Sequence, residues 1–202
     1  MIPLWPLLVG ALAQPAPQTA APPAWEVSAD VYMYFVPDES NYAQPTVAAD
    51  RGRLHLEGRF NYEARNTGSL WLGCNFGGGD DSWWAITPMV GAVFGDTKGV
   101  APGYSGWVSG RHLEFYSEGE FVVDTTSSSD SFFYNWSELT FAPIEWLRVG
   151  LVAQRTRAYQ TDREIQRGVL VGVSRGKVDV SAIVFNPDDS KPVVVVMVAV
   201  RF

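Results

Sequence analysis

Residues 53–63 read Arg53-Leu54-His55-Leu56-Glu57-Gly58-Arg59-Phe60-Asn61-Tyr62-Glu63. Leu54, Leu56, Gly58, Phe60 and Tyr62 fall on one parity, and Arg53, His55, Glu57, Arg59, Asn61 and Glu63 on the other. Successive side chains of a strand point to opposite faces, so the stretch has one apolar and one charged face. A helix would scatter the same groups around its surface; period two means strand. The pattern extends in both directions. In 25–36, Val27, Ala29, Val31, Met33 and Phe35 oppose Glu26, Ser28, Asp30, Tyr32 and Tyr34. It recurs at 70–76, 84–94, 112–123, 147–158, 165–174, 177–186 and 193–202. Turn chemistry separates these runs: Asp50-Arg51-Gly52, Asn66-Thr67-Gly68, Gly77-Gly78-Gly79-Asp80, Ser174-Arg175-Gly176 and Asn186-Pro187-Asp188-Asp189. Short strands with regular breaks predict an all-β sandwich or barrel.

Composition narrows the class. The chain has 202 residues, a formal net charge of −7, 18% charged and 13% aromatic residues. Aromatic and β-branched residues are too frequent for intrinsic disorder. An acidic chain without a basic stripe is no nucleic-acid binder. The single cysteine, Cys74, cannot form an internal disulfide; beside Leu72 and Phe76 it reads as a small hydrophobe. No His or Cys cluster has metal-site spacing, and no cofactor is implied. Residues 1–13, ending Ala11-Leu12-Ala13, have the apolar core and small-residue end of a signal peptide. The pattern is atypical because no basic residue precedes Arg51. Residues 14–24 are a Pro/Ala-rich linker, which leaves 25–202 as the folded unit. The longest later apolar run, 193–200, is far shorter than the roughly 20 residues of a spanning helix. Any membrane crossing is made by strands.

A soluble sandwich turns the apolar face inward; a membrane barrel turns it to lipid and encloses the polar one. Clustered charge on single faces, such as Glu114, Glu118 and Glu120, suits an enclosed lumen with arginine partners. Aromatics near strand ends (Trp25, Phe35, Trp83, Trp84, Tyr104, Phe132, Phe133, Trp136, Trp146 and Tyr159) suit interfacial girdles. Closure also removes the exposed edges of a long all-β chain. The last strand carries Val194, Val196, Val198, Val200 and Phe202 on one face. A terminal aromatic on such a strand resembles the C-terminal signature of bacterial outer-membrane β-barrel proteins. The segments 132–138 and 184–192 likewise resemble uncharacterised porin-like members of that class. The resemblance implies an outer-membrane location and recognition of Phe202 by the barrel-insertion machinery. It also implies a closed antiparallel transmembrane β-barrel. An even strand number is required, and adding a short strand at 43–49 gives about twelve. Glycines dilute the pattern at 100–110; without a strand there, about ten remain. Loops at 37–42, 96–103, 124–131, 159–164 and 187–191 then fall outside, and turns at 50–52, 142–145 and 174–177 on the periplasmic side.

Parity assigns Arg53, His55, Glu57, Arg59, Glu63, Glu114, Glu118, Glu120 and Arg148 to the lumen, with Lys177 and Asp179 in the same set. Mixed charges in a confined space imply pairing. Their acidic excess implies a narrow pore favouring cations. Against this stands a plugged, structural lumen. His55 and His112 are the candidates for barrel-enzyme chemistry, but their charged neighbours suit a salt-bridge network better, and the reading is non-enzymatic. The function expected is a porin-like passive channel for small solutes. The alternative is a non-conducting structural or lipopolysaccharide-interacting barrel. Arg155, Arg157 and Arg167 share the lipid-facing parity toward the outer end, close to Arg163. They read as contacts to lipopolysaccharide phosphates, or as residues that a β-bulge turns back inward. Gly91, Gly95, Gly168 and Gly172 read as aids to curvature and close packing.

Overall fold

The computed structural model describes residues 23–126, 131–155 and 165–202. The expected signal peptide and all but the end of the linker lie outside these residues. The chain forms β1 (Glu26–Phe35), β2 (Tyr42–Arg51), β3 (Leu54–Phe60), β4 (Thr67–Cys74), β5 (Phe76–Gly78), β6 (Ser82–Gly95) and β7 (Gly99–Gly110). There follow β8 (Leu113–Asp124), β9 (Phe132–Ile144), β10 (Leu147–Arg155), β11 (Ile165–Arg175), β12 (Val178–Phe185) and β13 (Val193–Arg201). Among the described residues all pairings are antiparallel, and each strand pairs with its sequence neighbours except β4 and β5, which both pair with β6. The first strand pairs with the last, Val31 opposite Val198, which closes the ring.

β5 continues β4 in the same register against β6, with Gly73 opposite Met89 and Phe76 opposite Ile86. Counted as one, the two leave a closed barrel of 12 strands. The glycine-diluted stretch is a full strand, β7, paired along most of its length with β6 and β8. Missing side chains at Gly103 and Gly106 do not prevent pairing, because the ladder is made by the backbone. Twelve therefore stands, and the loop expected at 96–103 shrinks to 96–98. The short strand expected at 43–49 extends to Tyr42–Arg51.

Tight turns lie at one end of the barrel, at 52–53, 111–112, 145–146 and 176–177. Gly52 and Gly176 adopt φ of 61° and 62°, the left-handed geometry that two-residue hairpins require. The longer connections lie at the other end. In this class the short turns are periplasmic and the long loops external.

The outer face is apolar. Leu70, Leu151 and Ile165 are 63%, 61% and 61% exposed, and Val90, Phe94, Val108, Phe121, Leu139 and Val171 share that face. Such a continuous apolar surface requires a lipid surrounding, since soluble monomers rarely expose contiguous patches above a few hundred Å². Trp84, Phe35, Phe133 and Trp146 are exposed at or beside strand ends. Four aromatics expected in the girdles sit elsewhere. Phe132 and Trp136 are buried, Trp83 packs edge-on against buried Trp107 at 4.3 Å, and Tyr104 lies mid-strand in β7. Nearness to a strand end fixes a residue's height; parity decides whether it faces lipid or lumen.

Candidate lumen site

The two halves of the lumen differ. Toward the long loops, Tyr34, Phe132, Tyr134, Trp136, Phe185 and Val193 bury apolar surface inside the ring. Tyr34 stacks on Tyr42 at 4.7 Å, and Trp136 meets Tyr32 and Phe185 edge-on at 5.6 and 5.5 Å. Toward the short turns lies a cavity of about 180 Å³. Its wall includes Asp30, Asp50, His55, Glu57, Arg59, Glu114, Glu118, Glu138 and Arg148.

Arg59 is the hub. It reaches the lumen because β3 alternates in register with β4, placing Arg59 opposite Ser69 and Glu57 opposite Trp71. Its Nε donates to Glu57 and its Nη1 to Glu120 Oε2 at 3.0 Å. Its guanidinium also lies over the rings of Tyr62 and Trp71, at 4.3 and 4.5 Å. Trp71 can stand there because Gly91 faces it: a Cβ at Gly91 would come within 2.6 Å of the indole. Below Arg59, His55 contacts Asp50 through Nδ1 at 2.8 Å and Glu57 through Nε2 at 3.1 Å. Asn75, in the lapse between β4 and β5, donates to Asp50 and accepts from Thr87, both at 2.6 Å.

On β8, Glu114, Tyr116, Glu118 and Glu120 form an inward ladder. Tyr62 and Tyr116 donate to the two oxygens of Glu118, Tyr116 at 2.7 Å. Tyr62 lies in the loop after β3, where burial and then the Glu118 carboxylate push its phenol well above its ordinary value. It remains a donor at all physiological pH. A second centre lies near the short turns, where Arg148 Nη2 donates to Asp179 Oδ1 at 2.6 Å and also to Ser181. Gly172 makes room for it, since a Cβ there would lie 2.6 Å from Arg148 Nε.

The structure thus places His55, Glu57, Arg59, Glu63, Glu114, Glu118, Glu120 and Arg148 within the barrel. Glu63 belongs to the loop after β3 and accepts from Ser69. Arg53 is different: it stands exposed in the turn before β3, its guanidinium 5.4 Å above the outward-facing Phe76 ring. A tight turn breaks the alternation, so parity does not carry to residue 53 from the strand. Lys177 is likewise an exposed turn residue. His112 is exposed in the turn before β8, with Nδ1 3.1 Å from the carbonyl oxygen of Ala142. Sequence reasoning did not select Asp30, Asp50 or Glu138 as site residues. Asp30 was visible on the polar parity of β1, whereas Asp50 and Glu138 had no clean alternation around them.

On the outer wall, Arg155 and Arg167 are both exposed. Ala153 pairs with Arg167 and Arg155 with Ile165 in unbroken register, so no bulge turns them inward. Arg155 lies 5.9 Å above the Phe133 ring, and Arg167 donates to Asp188 at 2.6 Å. Arg157 and Arg163 lie outside the described residues. Phe202 is 72% exposed, and its N–H donates to the Val27 carbonyl at 3.0 Å.

A closed ring with an apolar exterior and a charged interior fits known architecture. A solved KdgM porin matches 87% of this chain and 99% of its own, with a TM-score of 0.57 at 11% identity. The fold is that of an outer-membrane porin-like barrel. The Acinetobacter baumannii outer membrane protein Omp33 matches 90% of this chain and 99% of its own, with a TM-score of 0.44 and 11% identity. No family model and no curated protein matches the sequence. Within this outer-membrane barrel, both ring nitrogens of His55 are engaged by carboxylates. They occupy the position that a hydroxyl nucleophile would need beside a general base.

Proposed function

We propose that this outer-membrane barrel is a narrow passive channel for small solutes that favours cations over anions. The observation that carries the reading is the cavity of about 180 Å³ in the short-turn half, whose wall holds more carboxylates than arginines. Rings of carboxylates lower the energy of a permeating cation and raise that of an anion. Buried polar atoms support a hydrated interior. Among the described residues, Glu63 Oε2, Glu120 Oε1, Arg148 Nε, Trp107 Nε1 and Gln154 Oε1 have no protein hydrogen-bond partner. Such groups require water or pay the desolvation cost. The porin fold of the solved neighbour is consistent with a channel rather than an enzyme.

A second reading has its own observation. The aromatic layer of Tyr34, Tyr134, Trp136 and Phe185 fills the long-loop half, which suits a non-conducting structural barrel. Planar-bilayer recording of the refolded protein separates the two. The channel reading expects small unitary steps, with a reversal potential in a salt gradient on the cation side. Absence of any unitary step overturns it in favour of the structural barrel. Steps that favour anions overturn the selectivity assigned to the carboxylates.

A further inference from the structure

The outer wall between β8 and β11 carries a groove of about 460 Å³, open to the lipid side. It exists because outward residues there are small. Ser137 on β9 lies opposite Ala153 on β10, and both line the groove. Phe115, Leu139 and Leu151 form its apolar banks, and Arg167 closes the end toward the long loops.

Two more features distinguish this part of the wall. Ser137 belongs to a polar patch on the lipid side, bonded to Ser117 at 3.1 Å and to Asn135 at 3.2 Å. These hydroxyls satisfy one another, as polar groups facing hydrocarbon must. The recess is therefore stable without an added protein surface. Arg167 lines its upper end, and Arg155 is the diagonal neighbour of Arg167 across the β10–β11 ladder. Diagonal residues on one face of an antiparallel pair are roughly 7–8 Å apart. Arg155 lies over Phe133 on the β9 side and Arg167 on Asp188, so a shared headgroup must draw both guanidiniums toward each other across that spacing.

We infer that this groove holds one acyl chain of a lipopolysaccharide molecule whose lipid A phosphate is bound by Arg155 and Arg167. The occupant follows from position and charge. The groove ends at the long-loop rim, the external side, where the outer-leaflet lipid carries phosphates above its acyl chains. Guanidiniums at that level are inexpensive to hold at the interface and match phosphate bidentately. Asp188 pairs with Arg167, with side chains 52% and 68% exposed. An exposed ion pair of this kind is weak and yields to a phosphate. The site is independent of conductance through the lumen.

The test is native mass spectrometry of the folded, detergent-purified barrel titrated with bisphosphorylated lipid A, dephosphorylated lipid A or phosphatidylglycerol. Heat-modifiable gel migration verifies that each variant is folded. Bisphosphorylated lipid A should bind saturably at one equivalent, and the other two lipids on the order of tenfold more weakly. Arg155→Ser combined with Arg167→Ser should weaken it on the order of tenfold, and Ala153→Leu, which fills the floor, to a similar extent. Asp188→Asn releases Arg167 and should tighten binding. Equal binding of phosphatidylglycerol or dephosphorylated lipid A overturns the proposal. So does wild-type affinity in either the arginine double variant or Ala153→Leu, or an Asp188→Asn variant that binds no more tightly than wild type.

Discussion

Replacing Arg59 with methionine tests whether the Arg59 network holds the barrel together as a buried ion-pair centre. The side chain is 4% exposed, and Glu120 and Glu57 beside it are 2% and 11% exposed. In Arg59→Met, Glu57 keeps His55 at 3.1 Å, whereas Glu120 loses its bond from Arg59. Removing one partner of a buried pair costs about 3–5 kcal/mol, mainly because a charge is left uncompensated. The lost stacking on Tyr62 and Trp71 adds about 1 kcal/mol or more. The expected loss is therefore about 4–6 kcal/mol. Adding Glu120→Gln removes the stranded charge, so the double variant should regain part of that loss. Denaturant unfolding from lipid vesicles, followed by tryptophan fluorescence and gel migration, measures both. An Arg59→Met variant within about 1 kcal/mol of wild type would refute the reasoning, since that is how solvent-screened pairs behave. A double variant no more stable than the single one would refute the stranded-charge part.

Three further outcomes follow from the geometry. Gly91→Ala places a Cβ within 2.6 Å of the Trp71 indole and displaces the ring over Arg59. Overpacking of this kind costs about 1–3 kcal/mol, read as a lower temperature of gel-shift conversion. Trp136→Ala removes the ring that joins Tyr32 to Phe185, so unitary conductance should rise while stability falls by about 3–5 kcal/mol. Unchanged conductance would place the constriction elsewhere. Phe202→Ser should lower the assembled level in cells yet leave refolding into vesicles unchanged, because Phe202 is 72% exposed and its backbone bond to Val27 survives. Equal loss in both assays would make Phe202 a stability residue rather than an assembly signal.

Legibility in the sequence followed the alternation. Residues 54–60 gave strand, face and lumen assignment together, because every second position was unambiguous. Arg53 misled because a two-residue turn has no parity to inherit. Trp136 misled for another reason: in Phe132-Phe133-Tyr134 both parities are aromatic, so the local pattern cannot say which set faces lipid. The register with β8 decides it, through Phe121 opposite Phe133 and Glu118 opposite Trp136. The net charge of −7 also acquires a location, since Asp30, Asp50, Glu57, Glu114, Glu118 and Glu138 all line one cavity.

Barrel circumference explains why that cavity is confined to one half. Side chains fill an interior of about eight strands and leave a channel at about sixteen. At 12 strands, the size of the inward residues decides the outcome level by level. Near the long loops the inward positions include Tyr34, Tyr134, Trp136 and Phe185, which belong to one buried cluster. Near the short turns they include Ser28, Ala48 and Ala199, which leave room between the charged pairs. The same ring is therefore packed at one end and open at the other. In the proposed channel the tightest level limits permeation, so conductance should respond to truncating Trp136 and selectivity to changing Glu114, which lies four residues along β8 from the Trp136 level, toward the short turns. A selectivity filter and a steric barrier at separate heights can be varied separately, and a Trp136→Ala variant that gained conductance but lost cation preference would contradict that separation.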